Sequence, residues 1–305
     1  MVDRFQFIAP AALTAISDLR LLARTVVAGM AGGVHRSART GSAAEFAQYR
    51  SYAQGDDPRL VDWRLYGRSD RLYVRQFNEE TNLRCTILLD CSASMDYGSG
   101  EVDKFRYAQM LVACLATLAT EQRDEVGFAA FGSQLETYVP GRARTDHLHR
   151  LLVAMANVRP QGGTDTEGIL RFIGDALPAR GMVVLVSDLL HPLESVLQQL
   201  RSLRARRHDV LVLQISDRAE RDFSFEGALT LRDAEEGREL FAVPSAVRAE
   251  YLENRSKHFA QIRRECLAAE IDVEEFSCDE PLDRALQRFL TRRSHALFTS
   301  IRRSR

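Results

Sequence analysis

The sequence has little that is typical of a secreted or zinc-binding protein. Its 305 residues include five cysteines, an odd number, and no C-x-x-C pair. This pattern excludes a disulfide framework and a zinc ribbon, so we expect a reducing compartment. The first residues, MVDRFQF, lack the charged and apolar regions of a signal peptide. From these absences we expect a cytoplasmic protein.

The chain also lacks an excess of either charge and lacks long apolar runs. Its 41 basic and 42 acidic residues leave a net charge of -1, which argues against nucleic acid or an anionic membrane as partner. The longest apolar runs, such as MLVACLATLA, reach about half of the ~20 residues that span a bilayer. We therefore expect no nucleic-acid partner and no membrane span.

From residue 84 onward, short apolar runs alternate with helical patterns, which predicts an α/β fold. Such alternation is typical of a doubly wound, mostly parallel, Rossmann-type sheet with right-handed crossovers. Strands are predicted at 84–90, 182–188, 209–216 and 272–277, hairpins at 125–140 and 228–243, and helices at 104–122, 145–155, 191–206 and 245–269, with a last helix from Pro281.

The residues before this region predict an extension rather than a second core. Residues 8–30 have helical composition, 37–70 are polar and loop-rich, and 72–77 alternate like an edge strand. We therefore divide the chain into an extension (1–80) packed on the main domain, the main domain (81–295) and a basic tail (296–305).

Hydroxyl and carboxyl side chains follow the predicted strands. Asp90 ends the first apolar run of the main domain, and Ser92 and Ser94 follow two and four positions later. If the chain stays extended there, a period of two places all three on one side. Thr164 in GGTDT and Asp188 in VLVSDLL are further oxygen ligands placed at the ends of elements. Because the carboxyl ends of parallel strands meet at one edge, we expect these side chains to converge.

Hydroxyls and carboxylates are ligands of a hard cation rather than of zinc. We expect Mg²⁺, with Mn²⁺ and Ca²⁺ as alternatives, and a coordination position left free for a partner's carboxylate. The alternative is structural, since serines after a strand commonly cap the next helix.

The residues DCSAS (90–94), Thr164 and Asp188 resemble the metal-ion-dependent adhesion site of von Willebrand factor A domains. The resemblance implies the doubly wound fold. It also implies that Ser92, Ser94 and Thr164 hold the metal directly, with Asp90 and Asp188 acting partly through water.

A second resemblance concerns EFAQYRSYAQGDDPRLVDWRLYGRSDRLYVRQFNEE (45–80), together with GVHRS before it and DEVGFAAF after the metal loop. These stretches are similar to bacterial domain-of-unknown-function family 58. The resemblance implies an adaptor or co-chaperone that partners a MoxR-type AAA+ ATPase. We expect an acidic client protein as a further partner. The signature positions are Arg50, Gly55, Asp56, Arg59, Asp62 and Trp63.

Residues 45–80 carry many charges around the only tryptophan of the chain. We expect a charged network that pins this stretch onto the main domain, with Trp63 as its buried anchor. A direct partner surface is the alternative. The network would comprise Asp56, Arg59, Asp62, Arg64 and Arg68.

Three functions compete. The first is a metal-dependent interaction protein, the second a metal-dependent hydrolase of phosphate esters, and the third an extracellular adhesin. A phospho-aspartate mechanism needs an acid two residues after the nucleophile, where this chain has Ser92, so we expect no turnover. The missing signal peptide argues against the adhesin. His147 and His149 lie on different faces of a helix, and we expect both to be solvated.

Overall fold

The structure is a computed structural model that describes residues 19–27, 45–54, 56–58, 61–78, 83–163, 165–177, 180–190, 193–234 and 237–303. The chain divides into two compact units, one of residues 36–82 and one of residues 1–35 with 83–305. Helix α1 (19–27) therefore belongs to the larger unit, and its Leu19 and Ala23 are buried in that unit's core. That residues 1–80 pack on the main domain stays a prediction.

The unit of residues 36–82 contains a two-stranded sheet and a helix. Strand β1 (Glu45–Ser51) pairs antiparallel with β2 (Tyr73–Asn78), which confirms the predicted edge strand. Helix α2 (Trp63–Ser69) begins after Asp62, whose carboxylate accepts hydrogen bonds from two backbone N–H groups of the first turn. The prediction that 37–70 is loop is wrong where β1 and α2 lie, because a seven-residue helix leaves almost no periodicity in a sequence.

The larger unit is built on a six-stranded sheet with the order β10-β7-β6-β3-β4-β5. All neighbouring strands are parallel except β5, which runs antiparallel to β4 at one edge. The predicted doubly wound, mostly parallel sheet is confirmed. The strands are β3 (Arg84–Asp90), β4 (Glu125–Phe131), β5 (Leu135–Arg142), β6 (Met182–Ser187), β7 (Asp209–Ser216) and β10 (Asp272–Ser277).

Two apolar cores lie on opposite faces of this sheet because successive side chains of a strand point to opposite sides. In β3, Ile87 and Leu89 join one core, whereas Leu88 joins the other. The first core also contains side chains from the helices α1, α3 (Lys104–Glu121), α4 (Thr145–Ala156) and α9 (Leu282–Arg303). The second core contains side chains from α5 (Thr166–Ala176), α6 (Leu193–Ala205) and α8 (Pro244–Ala268). Burial on both faces explains why these strands read as continuous apolar runs.

The connections place a crevice in the middle of the sheet. From β3 the chain crosses by α3 to β4 on one side, and it later returns to β6 on the other side of β3. Helices α3 and α6, which follow β3 and β6, lie on opposite faces. In such sheets, ligands bind outside the carboxyl ends of the strands at this switch point. Asp90 and Asp188 stand there.

Two smaller elements complete the unit. Helix α7 (Arg218–Asp222) follows β7, and the hairpin of β8 (Leu229–Arg232) and β9 (Glu239–Ala242) leads into α8. Both predicted hairpins are thus present. Helix α9 runs to Arg303 and so enters the predicted tail of residues 296–305.

The N-cap residue of α4 is Arg144, which makes no side-chain cap. One expectation about this helix is wrong. His147 is buried rather than solvated, and its Nε2 lies 2.8 Å from the Val126 carbonyl oxygen. The helix turns this residue toward β4, a contact that its local sequence does not encode.

Candidate functional site

The carboxylate of Asp90 lies at the carboxyl end of β3 and is fully buried. Its Oδ1 accepts a hydrogen bond from the Ser92 backbone N–H at 2.9 Å. Its Oδ2 accepts one from the Ser187 hydroxyl at 2.6 Å. The Ser187 oxygen in turn accepts the Leu189 N–H at 3.0 Å. Hydrogen bonds from both strand ends therefore fix the orientation of this carboxylate.

Ser92 and Ser94 converge by a different route from the predicted one. The chain is extended at Ser92 but enters a short 3-10 helix (Ala93–Asp96) directly afterwards, so it does not keep a period of two. The Ser92 and Ser94 Oγ atoms nevertheless lie 3.0 Å apart. Adjacent ligands of an octahedral cation with bonds near 2.0 to 2.1 Å are about 2.9 Å apart, so the two hydroxyls fit one edge of a Mg²⁺ shell. We call Asp90, Ser92, Ser94 and Ser187 the serine–aspartate rim.

Asp188 follows the end of β6, and only 1% of its surface is exposed. Its Oδ1 accepts the Leu190 N–H at 3.2 Å, and its Oδ2 accepts a hydrogen bond from the Lys104 ammonium at 2.8 Å. The same ammonium donates to Glu220 Oε1 at 2.6 Å. We call Lys104, Asp188 and Glu220 the lysine cluster.

Lys104 is fully buried at the start of α3. Burial acts to lower the pKa of its ammonium, but the carboxylates of Asp188 and Glu220 outweigh burial and raise the pKa above its ordinary value. The ammonium therefore stays charged, and its two ion pairs join the end of β6 to α3 and α7.

Thr164 lies outside the described residues, so its predicted place in the metal shell stays a prediction. Its neighbours do contact the serine loop. The Ala93 N–H donates to the Gly162 carbonyl at 3.0 Å, and the Gln161 N–H donates to the Cys91 carbonyl at 2.9 Å. Gly162 has a φ of +66°, a conformation that favours glycine. The chain thus runs beside the serine loop just before Thr164.

The structure brings together three residues that sequence reasoning missed: Ser187, Lys104 and Glu220. Ser187 directly precedes the predicted ligand Asp188. Lys104 had a detectable signal, because the 41 basic residues of the chain include only two lysines. Glu220 had no detectable signal in the sequence, since it belongs to a short helix 116 positions away from Lys104.

The donors at the rim are oxygen atoms. Among the residues that the structure describes, histidine, cysteine and acidic side chains form no group of three that could hold a metal ion. A metal here would therefore depend on the serine hydroxyls. Cys91 lies within the loop, but burial and the Asp90 carboxylate raise the pKa of its thiol to about 12. It stays protonated, which makes it a poor ligand and a poor nucleophile.

A cavity of about 360 Å³ opens beside the loop that leaves the rim. Its walls are mainly aromatic and aliphatic, and Glu220 of the lysine cluster lies among them. They include Tyr97, Phe223, Tyr251, Leu231 and Leu240. Phe223 and Tyr251 stack with ring centroids 4.4 Å apart.

The signature of the 36–82 unit is partly described. The Arg50 guanidinium donates to Asp56 Oδ1 at 2.7 Å, and the Tyr49 hydroxyl donates to Asp62 Oδ2 at 3.0 Å. Gly55 and Arg59 lie outside the described residues. The expectation that Trp63 is a buried anchor is wrong, because its side chain is 61% exposed, with Tyr66 packed edge-on at 6.3 Å. Trp63 is the first residue of α2. The start of this helix is fixed by the Asp62 carboxylate, which accepts hydrogen bonds from backbone N–H groups and does not need the Trp63 side chain.

Comparison with known proteins gives a family and several relatives. The family described as "Protein of unknown function DUF58" matches residues 48–261. An uncharacterized protein of Mycobacterium tuberculosis (strain ATCC 25618 / H37Rv) is 30% identical over 261 residues, which cover 84% of this chain and 81% of that protein. A Mycobacterium bovis protein matches to the same extent.

Similar solved structures have low sequence identity. The conserved hypothetical protein BatB of Bacteroides thetaiotaomicron has a TM-score of 0.48 at 14% identity, over 70% of this chain and 100% of that one. An aerotolerance-related membrane protein of Bacteroides fragilis scores 0.45 at 16% identity, over 69% and 98%. The SpRpn10 VWA domain scores 0.43 at 12% identity, over 67% and 94%. Likeness of this size does not by itself assign a function.

None of the described helices combines the length and the apolar character that crossing a membrane requires.

Proposed function

This chain belongs to the DUF58 family, and from that membership and the geometry of the serine–aspartate rim we propose that it is a metal-dependent protein-interaction module. The observation that carries the proposal is the 3.0 Å separation of the Ser92 and Ser94 Oγ atoms, in the loop that follows a fixed Asp90 carboxylate. Two hydroxyls at this spacing form one edge of an octahedral oxygen shell.

The proposed cation is Mg²⁺, with Mn²⁺ and Ca²⁺ as alternatives. Ser92, Ser94 and Thr164 would hold it directly, and Asp90 and Asp188 would act partly through water. The bound ion would supply a coordination position for a carboxylate of the partner. The chain's own contribution is orientation, because Ser187 and the Ser92 N–H hold Asp90 in place without any added group.

We propose a MoxR-type AAA+ ATPase as the partner, with this chain as a cytoplasmic adaptor or co-chaperone, and an acidic client protein as a second ligand. Membership of the family supports this assignment. The proposed chemistry fits an acidic partner, since a cation with a free coordination position binds the carboxylate oxygen of an acidic side chain.

Pull-down of the cognate ATPase tests the proposal. Recovery should be high in Mg²⁺ and should fall at least tenfold in a chelator or with the double variant Ser92→Ala, Ser94→Ala. The control is Ser245→Ala, an exposed serine in the first turn of α8, which should bind like the wild type. Equal recovery with and without chelator, after the metal is shown to be removed, would contradict the proposal.

The alternative is a hydrolase of phosphate esters in which the metal activates water. We propose instead that the protein does not turn over such substrates, because Ser92 stands where a general acid would be needed and Asp188 is held by Lys104. Incubation with Mg²⁺ and p-nitrophenyl phosphate should release no phosphate above buffer. Sustained release that Asp90→Ala abolishes would establish the hydrolase.

A further inference from the structure

Lys104 is one of two lysines among 41 basic residues, and it is the largest fully buried side chain of the described chain. Lysine is almost never fully buried unless its charge is paired. Both of its partners are carboxylates within 2.8 Å. The compact ammonium fits between them, whereas the planar guanidinium of arginine, the usual base of this chain, is wider.

The two partners of Lys104 differ in their surroundings. Asp188 is a member of the proposed metal shell at the end of β6, with 1% of its surface exposed. Glu220 lies on α7, where its second oxygen accepts the Asp217 N–H at 3.3 Å as part of a capping box. The side chain of Glu220 is 21% exposed. Lys104 therefore places a fixed positive charge directly on a proposed metal ligand, with Glu220 as partial compensation.

We propose that Lys104 is a built-in counter-charge that limits the affinity of the serine–aspartate rim for a divalent cation. The inference rests on the proposed function, because it concerns the same metal. Asp90, Asp188, Glu220 and Lys104 together carry a formal charge of -2, the opposite of one divalent ion. The loaded site is then neutral, so a partner's carboxylate meets no net negative charge as it approaches.

Removal of the lysine charge should raise the affinity for the metal, whereas structural damage to the site would lower it. Lys104→Met keeps most of the side-chain volume but removes a positive charge beside the cation, so the metal should bind more tightly. Glu220→Gln leaves the lysine charge uncompensated, so the metal should bind more weakly. Glutamine also suits this position of a capping box, and α7 should be preserved.

The experiment is a Mn²⁺ titration of each purified protein, with free Mn²⁺ measured by electron paramagnetic resonance. We expect Lys104→Met to tighten binding about tenfold and Glu220→Gln to weaken it about threefold or more, from the size of charge interactions at partly buried sites. The control is Lys257→Met, which removes the other lysine. Its side chain is 69% exposed and pairs with Glu253, so Mn²⁺ affinity should stay unchanged.

The outcomes separate the two proposals. If the wild type binds no Mn²⁺, both the metal-dependent function and the role of Lys104 are wrong. If the wild type binds but folded Lys104→Met binds equally or more weakly, Lys104 is only structural and the metal site stands. If Lys104→Met does not fold, Glu220→Gln decides, and binding as tight as the wild type overturns the inference.

Discussion

Ser187 shows at the scale of single residues how a neutral hydroxyl can fix a buried charge. It donates to Asp90 Oδ2 at 2.6 Å and accepts the Leu189 N–H at 3.0 Å, so one oxygen joins the ends of β3 and β6. Only 2% of the residue is exposed, and water cannot easily replace either bond. The orientation of Asp90 therefore depends on a residue that is not itself a proposed metal ligand.

Ser187→Ala should reduce the free energy of unfolding by about 1 to 3 kcal/mol, because the Leu189 N–H loses its acceptor and the Asp90 carboxylate loses a donor. Urea denaturation measures the change. The exposed control Ser245→Ala should stay within about 0.5 kcal/mol of the wild type. If Ser187→Ala also stays within about 0.5 kcal/mol of the wild type, the Ser187 hydroxyl does not hold Asp90.

Trp63 carries a second prediction at this scale. Because its side chain is 61% exposed, Trp63→Ala should change the free energy of unfolding by no more than about 0.5 kcal/mol, as is usual at surface positions. That this residue belongs to a partner surface stays a prediction. A loss above about 2 kcal/mol in urea denaturation would show that Trp63 is a buried anchor after all.

At the scale of elements, the turn between the serine loop and α3 determines where Lys104 lies. The Lys104 N–H donates to the Tyr97 carbonyl at 2.9 Å, and Asp103 caps α3 by accepting the Arg106 N–H at 2.6 Å. Gly98 lies between the two ends of this turn. A Cβ at Gly98 would lie 2.6 Å from Asp103 Cα, so the backbone would have to move.

Gly98→Ala should therefore destabilise the protein by about 1 to 3 kcal/mol, the usual cost of overpacking. Gly100→Ala is a matched control in the same turn, because a Cβ there meets nothing within 4 Å. Neither glycine has a positive φ, so the difference is steric. Thermal denaturation of the two variants should separate them, and equal melting temperatures would contradict this account of the turn.

The elements of the main sheet could be predicted because their signal is local. β3, β6 and β7 are apolar on both faces, and β3 and β6 are each followed by a helical pattern that is long enough to recognise. β1 and α2 could not be predicted in the same way. Both are seven residues long, and β2, the strand that pairs with β1, follows only after α2 in the sequence. Their formation depends on pairing and capping rather than on periodicity.

The places of Asp90 and Asp188 at the carboxyl edge of the sheet were predictable, but their surroundings were not. Asp90 and Asp188 could be placed because each follows an apolar strand, and parallel strands end at a common edge. The Lys104–Asp188 contact joins residues 84 positions apart, and a lysine at the start of a helix is ordinarily solvated. Nothing in the local sequence of α3 indicates that its first residue is buried.

At the scale of the whole molecule, the rim lies where the chain changes direction across the sheet. β3 and β6 are neighbours in the strand order, and the helices that follow them cover opposite faces. In such sheets the carboxyl ends of these two strands face the ligand crevice. A net charge of -1 over the chain supplies no strong long-range field, so recognition of the proposed acidic partner would have to come from this local site.

Diffraction from crystals of the full chain soaked in Mn²⁺ tests the central claim most directly, since the anomalous signal locates the ion. The account predicts a single strong peak about 2.1 to 2.3 Å from both the Ser92 and Ser94 Oγ atoms, with Thr164 in the same shell. The peak should vanish in the Ser92→Ala, Ser94→Ala variant. An ion bound only elsewhere, or no peak at saturating Mn²⁺, would contradict the account.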